Sequence, residues 1–541
     1  MAGTSDIEPT TGYKQPLPHR TSSLCPECKR KIDALVYAEG DIVWMKKECP
    51  EHGEFREKYW ESVKMYERER RHGAVGVPTL NPNVDTNGLN CPFDCGLCTR
   101  HKSHTALANI VATNRCDLSC WYCFFYAKEG QPIYEPSLEQ IRAMVRNLRQ
   151  EKPVPCNAVQ ITGGEPTLRK DLIDIIRICK EEGIDHVQVN TDGINFAFNP
   201  DLVRRIREAG TNTVYMSFDG MTPKSNPKNH WEAPYAIENC RKVGMGIVLV
   251  PTVIKGINDG EVGQMINFAL NHNDVIRGVN FQPVSLVGRM PQKQREQQRI
   301  TIPKIIENIE EQTNGMVTKE DFYSVPIVSP ITEIVEVMTG KSKYRLSTHF
   351  ACGMATYIIR GNDDKIVPLP QFVDVEGLME YLHETAEERK GKGKIWTGLK
   401  IWRNIGRFID KSKQPKGFNL NKMLMQALIK HDYRSLGILH HRSLFIGMMH
   451  FQDPYNYDVE RVERCCIHYT MPDGRIIPFC AFNVIPEIYR DKVQAEYAIP
   501  AGEWERKTGR KLAEDKYKRD AKKLEEGQIY KDIYTLKDYF K

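Results

Sequence analysis

Between residues 107 and 290 the chain alternates short β-rich apolar runs with stretches in which apolar residues recur at helical spacing. The runs are LANIVAT (107–113), NAVQITG (157–163), DHVQVNT (185–191), NTVYMSF (212–218), GIVLVPTVI (246–254) and RGVNFQPV (277–284). One intervening stretch, 137–151, places Ile141, Met144, Val145 and Leu148 on one helical face. It opens with Ser137 and Gln140, the pattern of an N-terminal capping box. Six strands alternating with helices predict parallel pairing through right-handed crossovers, and six units are too few for a closed eightfold barrel. The expected fold class is therefore α/β, with a partial (β/α)6 barrel at its centre.

The remaining segments read differently. Residues 1–20 have the composition of a disordered lead. In 21–62, alternating apolar residues flank a Glu39-Gly40-Asp41 turn and predict a hairpin. Residues 63–106 hold a cysteine triplet, 107–290 form the barrel, and 291–541 read as a mixed, helix-rich region. Within that region Ile395, Leu399, Trp402, Ile405 and Ile409 line up as one apolar stripe, with Lys394, Lys400, Arg403, Arg407 and Lys411 on other faces. A basic amphipathic helix with tryptophan fits either a membrane interface or a helix packed on the barrel. The apolar runs MLMQALIK and LGILHHRSLFIGMMHF that follow would suit walls around a long hydrocarbon, whereas EWERKTGRKLAEDKYKRDAKKLEE reads as a solvated helix.

Charge narrows the classes. The chain has 541 residues, 76 basic against 70 acidic, for a net +6, too small an excess to indicate nucleic-acid binding. The N-terminus lacks the apolar core of a signal peptide, and no apolar run approaches the roughly 20 residues of a membrane span. The expected location is the cytoplasm, with peripheral contact to the inner face of the membrane as an option. Disulfides are rare there, so sixteen cysteines call for another explanation, and metal binding leads.

Those cysteines fall into sets. CPEC (Cys25, Cys28) and CPEHG (Cys49, His52) are two ligand pairs joined by the hairpin, as in a zinc ribbon or rubredoxin-like knuckle holding one iron or zinc. Cys116, Cys120 and Cys123 follow the first barrel strand, at the strand end where such barrels carry function. Three thiolates leave one corner of a cubane open for a small molecule. TGGEPT (162–167), NTDG (190–193) and SFDG (217–220) end the next three strands and converge on the same rim. A second triplet, Cys91, Cys95 and Cys98, precedes the first strand; a closed cubane needs a fourth ligand. Cys156, just upstream of the second strand, is expected to supply it, ahead of His101 or His104. Cys352 and a hairpin bearing Cys465, Cys466 and Cys480 offer thiols for a third cluster. Cys179 and Cys240 continue apolar helix faces and read as core residues.

The spacing Cys116-x3-Cys120-x2-Cys123 with Tyr122 in penultimate position resembles the signature of the radical S-adenosylmethionine (SAM) enzymes. The resemblance implies a [4Fe–4S] cluster on these cysteines, with SAM on the fourth iron and Tyr122 against the adenine. It further implies Gly163, Gly164, Glu165 and Pro166 around the methionine amino group, with Glu165 as acceptor. Asn190, Asp192, Ser217 and Asp219 become candidates for ribose or carboxylate contacts. The order of motifs along the chain is similar to one archaeal family containing tetraether lipid synthases, other members of which are assigned as methylases of 7,8-dihydro-6-hydroxymethylpterin. The first activity, joining the terminal carbons of two isoprenoid chains of ether lipids, is the expected one. It implies three [4Fe–4S] clusters, one mononuclear iron or zinc, an ether-lipid substrate at the membrane surface and a reduced electron donor such as a ferredoxin. The alternatives are the pterin methylase and a non-enzymatic electron carrier or adaptor; GGEP at a strand end argues against the last. A long apolar tunnel above Cys116–Cys123 would favour lipid, and a short polar pocket pterin.

Overall fold

The computed structural model describes residues 15–541 apart from 85–89, 124, 126–130, 288–291, 393 and 422–441. Most of the 1–20 segment and the MLMQALIK run lie outside the described residues.

Four antiparallel strands, β1 (His19–Leu24), β2 (Lys31–Glu39), β3 (Ile42–Cys49) and β4 (Gly53–Trp60), form a sheet in sequence order. Strand β1 begins inside the segment read as a lead. Gly40 takes φ 61 at the β2–β3 turn, a left-handed conformation that glycine adopts without steric cost.

The barrel strands are β5 (Leu107–Thr113), β6 (Ala158–Gly163), β7 (His186–Thr191), β8 (Thr213–Ser217) and β9 (Gly246–Val250), then β10 (Thr252–Val253) and β11 (Ile276–Pro283). Neighbours β5 through β9, and β9 with β11, pair in parallel, as the six-unit reading requires. The Leu138–Arg149 helix carries the reciprocal capping box of Ser137 and Gln140 and buries Ile141, Met144, Val145 and Leu148. Cys179 and Cys240 are fully buried in the core.

The C-terminal region extends this sheet at both edges. Strands β12 (Tyr323–Ser324), β13 (Gly353–Arg360), β14 (Ile366–Pro368) and β15 (Ser443–Met449) lie beyond β11, with β15 parallel to it. At the other edge, β16 (Ile467–Thr470) runs parallel to β5 and turns back into β17 (Ile476–Pro478). The two edges meet: the Gln452 N–H, just past β15, donates to Cys480 Sγ, just past β17, at 3.4 Å. The SLFIGMM part of the second apolar run is thus a sheet strand, and Phe451 at the end of that run lines the cavity described below. A continuous apolar run suits a strand buried on both faces.

Two further expectations are corrected. The Lys394–Ile405 helix buries Ile401 and Ile405 but exposes Trp396, Leu399 and Trp402 by 68%, 40% and 49%. The stripe splits because the helix ends at Ile405, so Ile409 is buried from outside it, bridging to Val373. Residues 501–526 are no solvated helix. They form a strap of short helices in which Trp504 is buried and donates to Glu135, and the buried Asp515 pairs with Arg115.

Candidate functional site

The rim at the C-terminal ends of β5–β11 encloses a cavity of about 170 Å³ lined by Cys116, Cys120, Tyr122, Cys123, Gly163, Gly164, Glu165, Asn190, Asp192 and Ser217. Residues the sequence reading did not single out complete it: Lys228, Thr252, Gln282, Ser285, Phe451 and Tyr469. Phe451, just past β15, and Tyr469 on β16 come from the added strands, so only the extended sheet could place them there.

Two backbone hydrogen bonds hold the cysteine loop to the end of β6. The Gly164 N–H donates to Thr113 O at 2.8 Å and the Glu165 N–H to Arg115 O at 2.7 Å. A Cβ on Gly163 would stand 2.1 Å from Thr113 O, and one on Gly164 2.0 Å from Arg115 O. The two glycines therefore serve the approach of the cysteine loop itself. Arg115, beside Cys116, is buried between Glu135 and Asp515 of the strap at 2.8 and 2.5 Å.

Glu165 is buried and accepts from the Thr167 N–H and hydroxyl (3.0 and 2.6 Å), the Thr191 hydroxyl (2.9 Å) and the Asp192 N–H (2.8 Å). Three of these donors meet Oε1 of Glu165 and one meets Oε2. Its geometry is that of a clamp between the ends of β6 and β7. Asp192 is different: Oδ1 accepts from the Ile194 N–H, while Oδ2 is buried without a protein partner among the described residues. Asp192, Asp117 and Cys116 bring potential ligand atoms within 4.8 Å of one another. Burial, then the Asp192 carboxylate, pushes Glu165 up to about 8 despite its donors; burial, then Glu165, pushes Asp117 up to about 6. Burial, then Asp117, also raises Asp192. Three carboxylates crowded in low dielectric favour a cationic ligand.

Opposite them, Asp219 accepts from the Tyr122 hydroxyl and from the Thr252 N–H (2.9 Å), and pairs with Lys228 at 3.1 Å. Lys228 Nζ also lies 5.2 Å from the centre of the Tyr122 ring. Asn229 donates to the carbonyls of Asp192 and Ser217 at 2.5 and 2.6 Å, joining the ends of β7 and β8. Asn190 donates to the Thr162 hydroxyl at 3.2 Å. Neither Lys228 nor Asn229 stands in a motif; only its place after the fourth strand could have marked it.

The N-terminal sheet carries a second centre. Cys25 Sγ lies 3.7 Å from His52 Nδ1, Cys49 Sγ 3.5 Å from it, and Cys28 Sγ 3.9 Å from Cys49 Sγ. A tetrahedral zinc with thiolate and imidazole ligands sets such edges at roughly 3.5–3.8 Å. The donor set fits one ion.

Of the other cysteines, Cys91 and Cys95 are buried in a cluster with Tyr457, Tyr469, Phe479, Cys480 and Tyr489. The Cys95 N–H donates to the Tyr489 hydroxyl at 3.0 Å, and Cys98 is buried as well. Cys156 does not join them. Its thiol donates to Ala158 O at 3.3 Å and packs in the main barrel core, a different cluster. This placement does not support the expectation that Cys156 closes this set: its sulfur is engaged with the backbone at the start of β6. His101 Nε2 is engaged with Cys465 O and His468, and His104 Nδ1 with Val77 O. Cys465 points its thiol at Ile467 O at 3.0 Å, Cys466 is buried beside it, and Cys352 Sγ receives Arg461 Nε at 3.3 Å.

The comparisons agree with this geometry. Residues 110–269 match the Radical SAM superfamily and residues 17–61 the HMPTM N-terminal zinc ribbon domain. A 7,8-dihydro-6-hydroxymethylpterin dimethyltransferase of Methanocaldococcus jannaschii is 44% identical over 499 residues, 90% of this chain and 97% of that protein. A GTP 3',8-cyclase of Limosilactobacillus fermentum is 32% identical over 190 residues, 32% of this chain and 54% of that protein. Among solved structures, methylornithine synthase aligns at 15% identity and a TM-score of 0.31, over 39% of this chain and 64% of that one. The chain is a radical SAM enzyme, with an N-terminal zinc ribbon, and belongs to the family of the Methanocaldococcus hydroxymethylpterin dimethyltransferase.

Proposed function

We propose that the chain is a radical SAM C-methyltransferase acting on a small polar heterocycle of the hydroxymethylpterin type. The observation that carries this is the near full-length similarity to the Methanocaldococcus enzyme. The cavity is compatible with it: beside Leu118, Phe125, Pro283, Phe451 and Tyr469 it presents the polar groups of Asn190, Ser217, Lys228, Thr252, Gln282 and Ser285. Adjacent donors and acceptors of this kind suit the edge of a pterin ring.

Cys116, Cys120 and Cys123 would hold the [4Fe–4S] cluster, which with SAM supplies one-electron cleavage of a C–S bond and hydrogen abstraction. Asp192 Oδ2 would take the SAM ammonium, with Glu165 fixing the Asp192 backbone. Tyr122 would lie on the adenine, held by Asp219. Cys91, Cys95 and Cys98 would hold a second cluster, and Cys352, Cys480 and one or both of Cys465 and Cys466 a third. A ferredoxin-type protein would deliver the electrons.

The test is incubation of the reconstituted, reduced enzyme with labelled SAM and 7,8-dihydro-6-hydroxymethylpterin, with mass spectrometry of the pterin. Labelled methyl on carbon is expected; turnover of SAM with the pterin unchanged overturns the assignment. A second reading, coupling of ether-lipid chains at a membrane surface, is favoured by Trp396 and Trp402 exposed beside Lys400 and Arg403. No described helix is long and apolar enough to cross a membrane. Ether lipid in place of the pterin in the same assay separates the two.

A further inference from the structure

Among the described residues Arg299 and Arg461 are the most deeply buried arginines, each 2% exposed, and their surroundings differ in kind. Arg299 meets carboxylates, Glu57 at 2.7 Å and Asp453 at 3.0 Å. Arg461, in the Val459–Glu463 helix, has no carboxylate within ion-pair distance among the described residues. Its Nε donates to Cys352 Sγ at 3.3 Å and its Nη2 to His450 O at 2.8 Å, and it lies 5.7 Å from the centre of the Tyr59 ring on β4. An interior guanidinium cannot shed its proton and is costly without an opposing charge. A neutral thiol, a carbonyl and a ring do not supply a full negative charge.

Thiolates do. Cys352 is in direct contact, and Cys480 lies close enough to act on the guanidinium electrostatically. The Gln452 N–H, from the other side, also donates to Cys480 Sγ. Both sulfurs are therefore used as acceptors, which suits the ligated, anionic form.

We propose that Arg461 is the buried counter-charge of the centre held by Cys352, Cys480 and the Cys465-Cys466 pair, and acts as a positioning residue that raises its reduction potential. The proposal rests on the reading of those cysteines as cluster ligands. A fixed cation in low dielectric stabilises the more negative, reduced state of a neighbouring cluster. Through Tyr59 and Asp458, which accepts from the Tyr59 hydroxyl at 2.8 Å, the same helix is braced by the zinc ribbon.

The test uses the full chain, anaerobically reconstituted, titrated with dithionite as the one-electron donor and followed by electron paramagnetic resonance. Cys352→Ala identifies the signal of this centre by its loss. Arg461→Met, which removes charge at similar volume, should shift that signal to more negative potential and leave the others in place; Arg461→Lys should restore most of the shift. Loss of this centre's iron in Arg461→Met but not in Arg461→Lys supports the same role, because only charge separates the variants. An unmoved potential in Arg461→Met, or equal shifts in both variants, overturns the proposal. Unchanged iron and spectra in Cys352→Ala overturn instead the ligand reading beneath it.

Discussion

The ribbon centre and the barrel rim both gather cysteines, yet they are built for opposite ends. In the ribbon, two tight turns of an antiparallel sheet place four ligand atoms at tetrahedral edges, 3.5 to 3.9 Å apart where they touch. Nothing is left open. On the rim, three cysteines sit on one loop, and what faces them is a group of carboxylates with an unpartnered oxygen on Asp192. A closed shell stabilises a fold; an incomplete shell beside uncompensated negative charge binds a cationic molecule and works on it. Ligand count alone does not make the difference. The ribbon's ligands come from the chain's own hairpins, whereas the rim's partners arrive from β6, β7 and the segment after β8.

The sharpest break in the comparison is Cys120→Ala. It should abolish formation of 5′-deoxyadenosine and of product while zinc remains stoichiometric, measured by chromatography and metal analysis; loss of all iron together would show that the sites are not independent. Cys28→Ala should do the converse. Zinc is lost and residues 19–60 become protease-sensitive, because small zinc modules are folded by their metal, while SAM cleavage persists. Full zinc occupancy in that variant would remove Cys28 from the shell.

Asp192→Asn tests the rim at finer scale. Losing one charge-assisted hydrogen bond of about 1.5–3 kcal/mol should weaken SAM binding roughly ten- to hundredfold with iron content unchanged. Glu165→Gln, which sets an amide against the Asp192 and Thr167 N–H groups, should act more on stability than on SAM affinity. Binding and melting curves of the two variants sort these roles; equal effects on affinity would return the ammonium contact to Glu165.

The two centres should also respond to pH in opposite directions. Asp117 at about 6 and Glu165 at about 8 stand above the ordinary carboxylate value of about 4. Between that value and about 8 the folded protein holds protons that the unfolded chain has lost, so rising pH lowers the stability of the protein free of cluster and SAM. Zinc affinity rises with pH over the same range, since its thiols must deprotonate. Urea melts and chelator competition at stepped pH measure the two; a melt that strengthens with pH would contradict the rim assignment. The smallest effect belongs to Ser137→Ala, which removes a cap contact worth about 1 kcal/mol. It should lower stability without altering either metal content.

Local order along the chain determined a good deal by itself. Alternating and helical periodicities marked all six parallel strands, because each is a continuous apolar run that only a doubly covered sheet can bury. The Ser137–Gln140 box, the Glu39-Gly40-Asp41 turn and the Cys25/Cys28–Cys49/His52 pairs are interactions between near neighbours, so spacing suffices to read them. The rim cysteines and GGEP were legible for the same reason. What only the tertiary structure decided depends on long-range placement: that β15 and β16 widen the barrel sheet, and that Cys156 turns into the core. The same holds for the strap that brings Asp515 to Arg115, and for Lys228 reaching Asp219. Burial and partner charge are properties of the assembled interior, and no spacing encodes them. Glu165 and Asp192 look alike as letters; in the fold one carboxylate accepts four hydrogen bonds that tie strand ends together, and the other keeps a buried oxygen without a hydrogen-bond partner among the described residues.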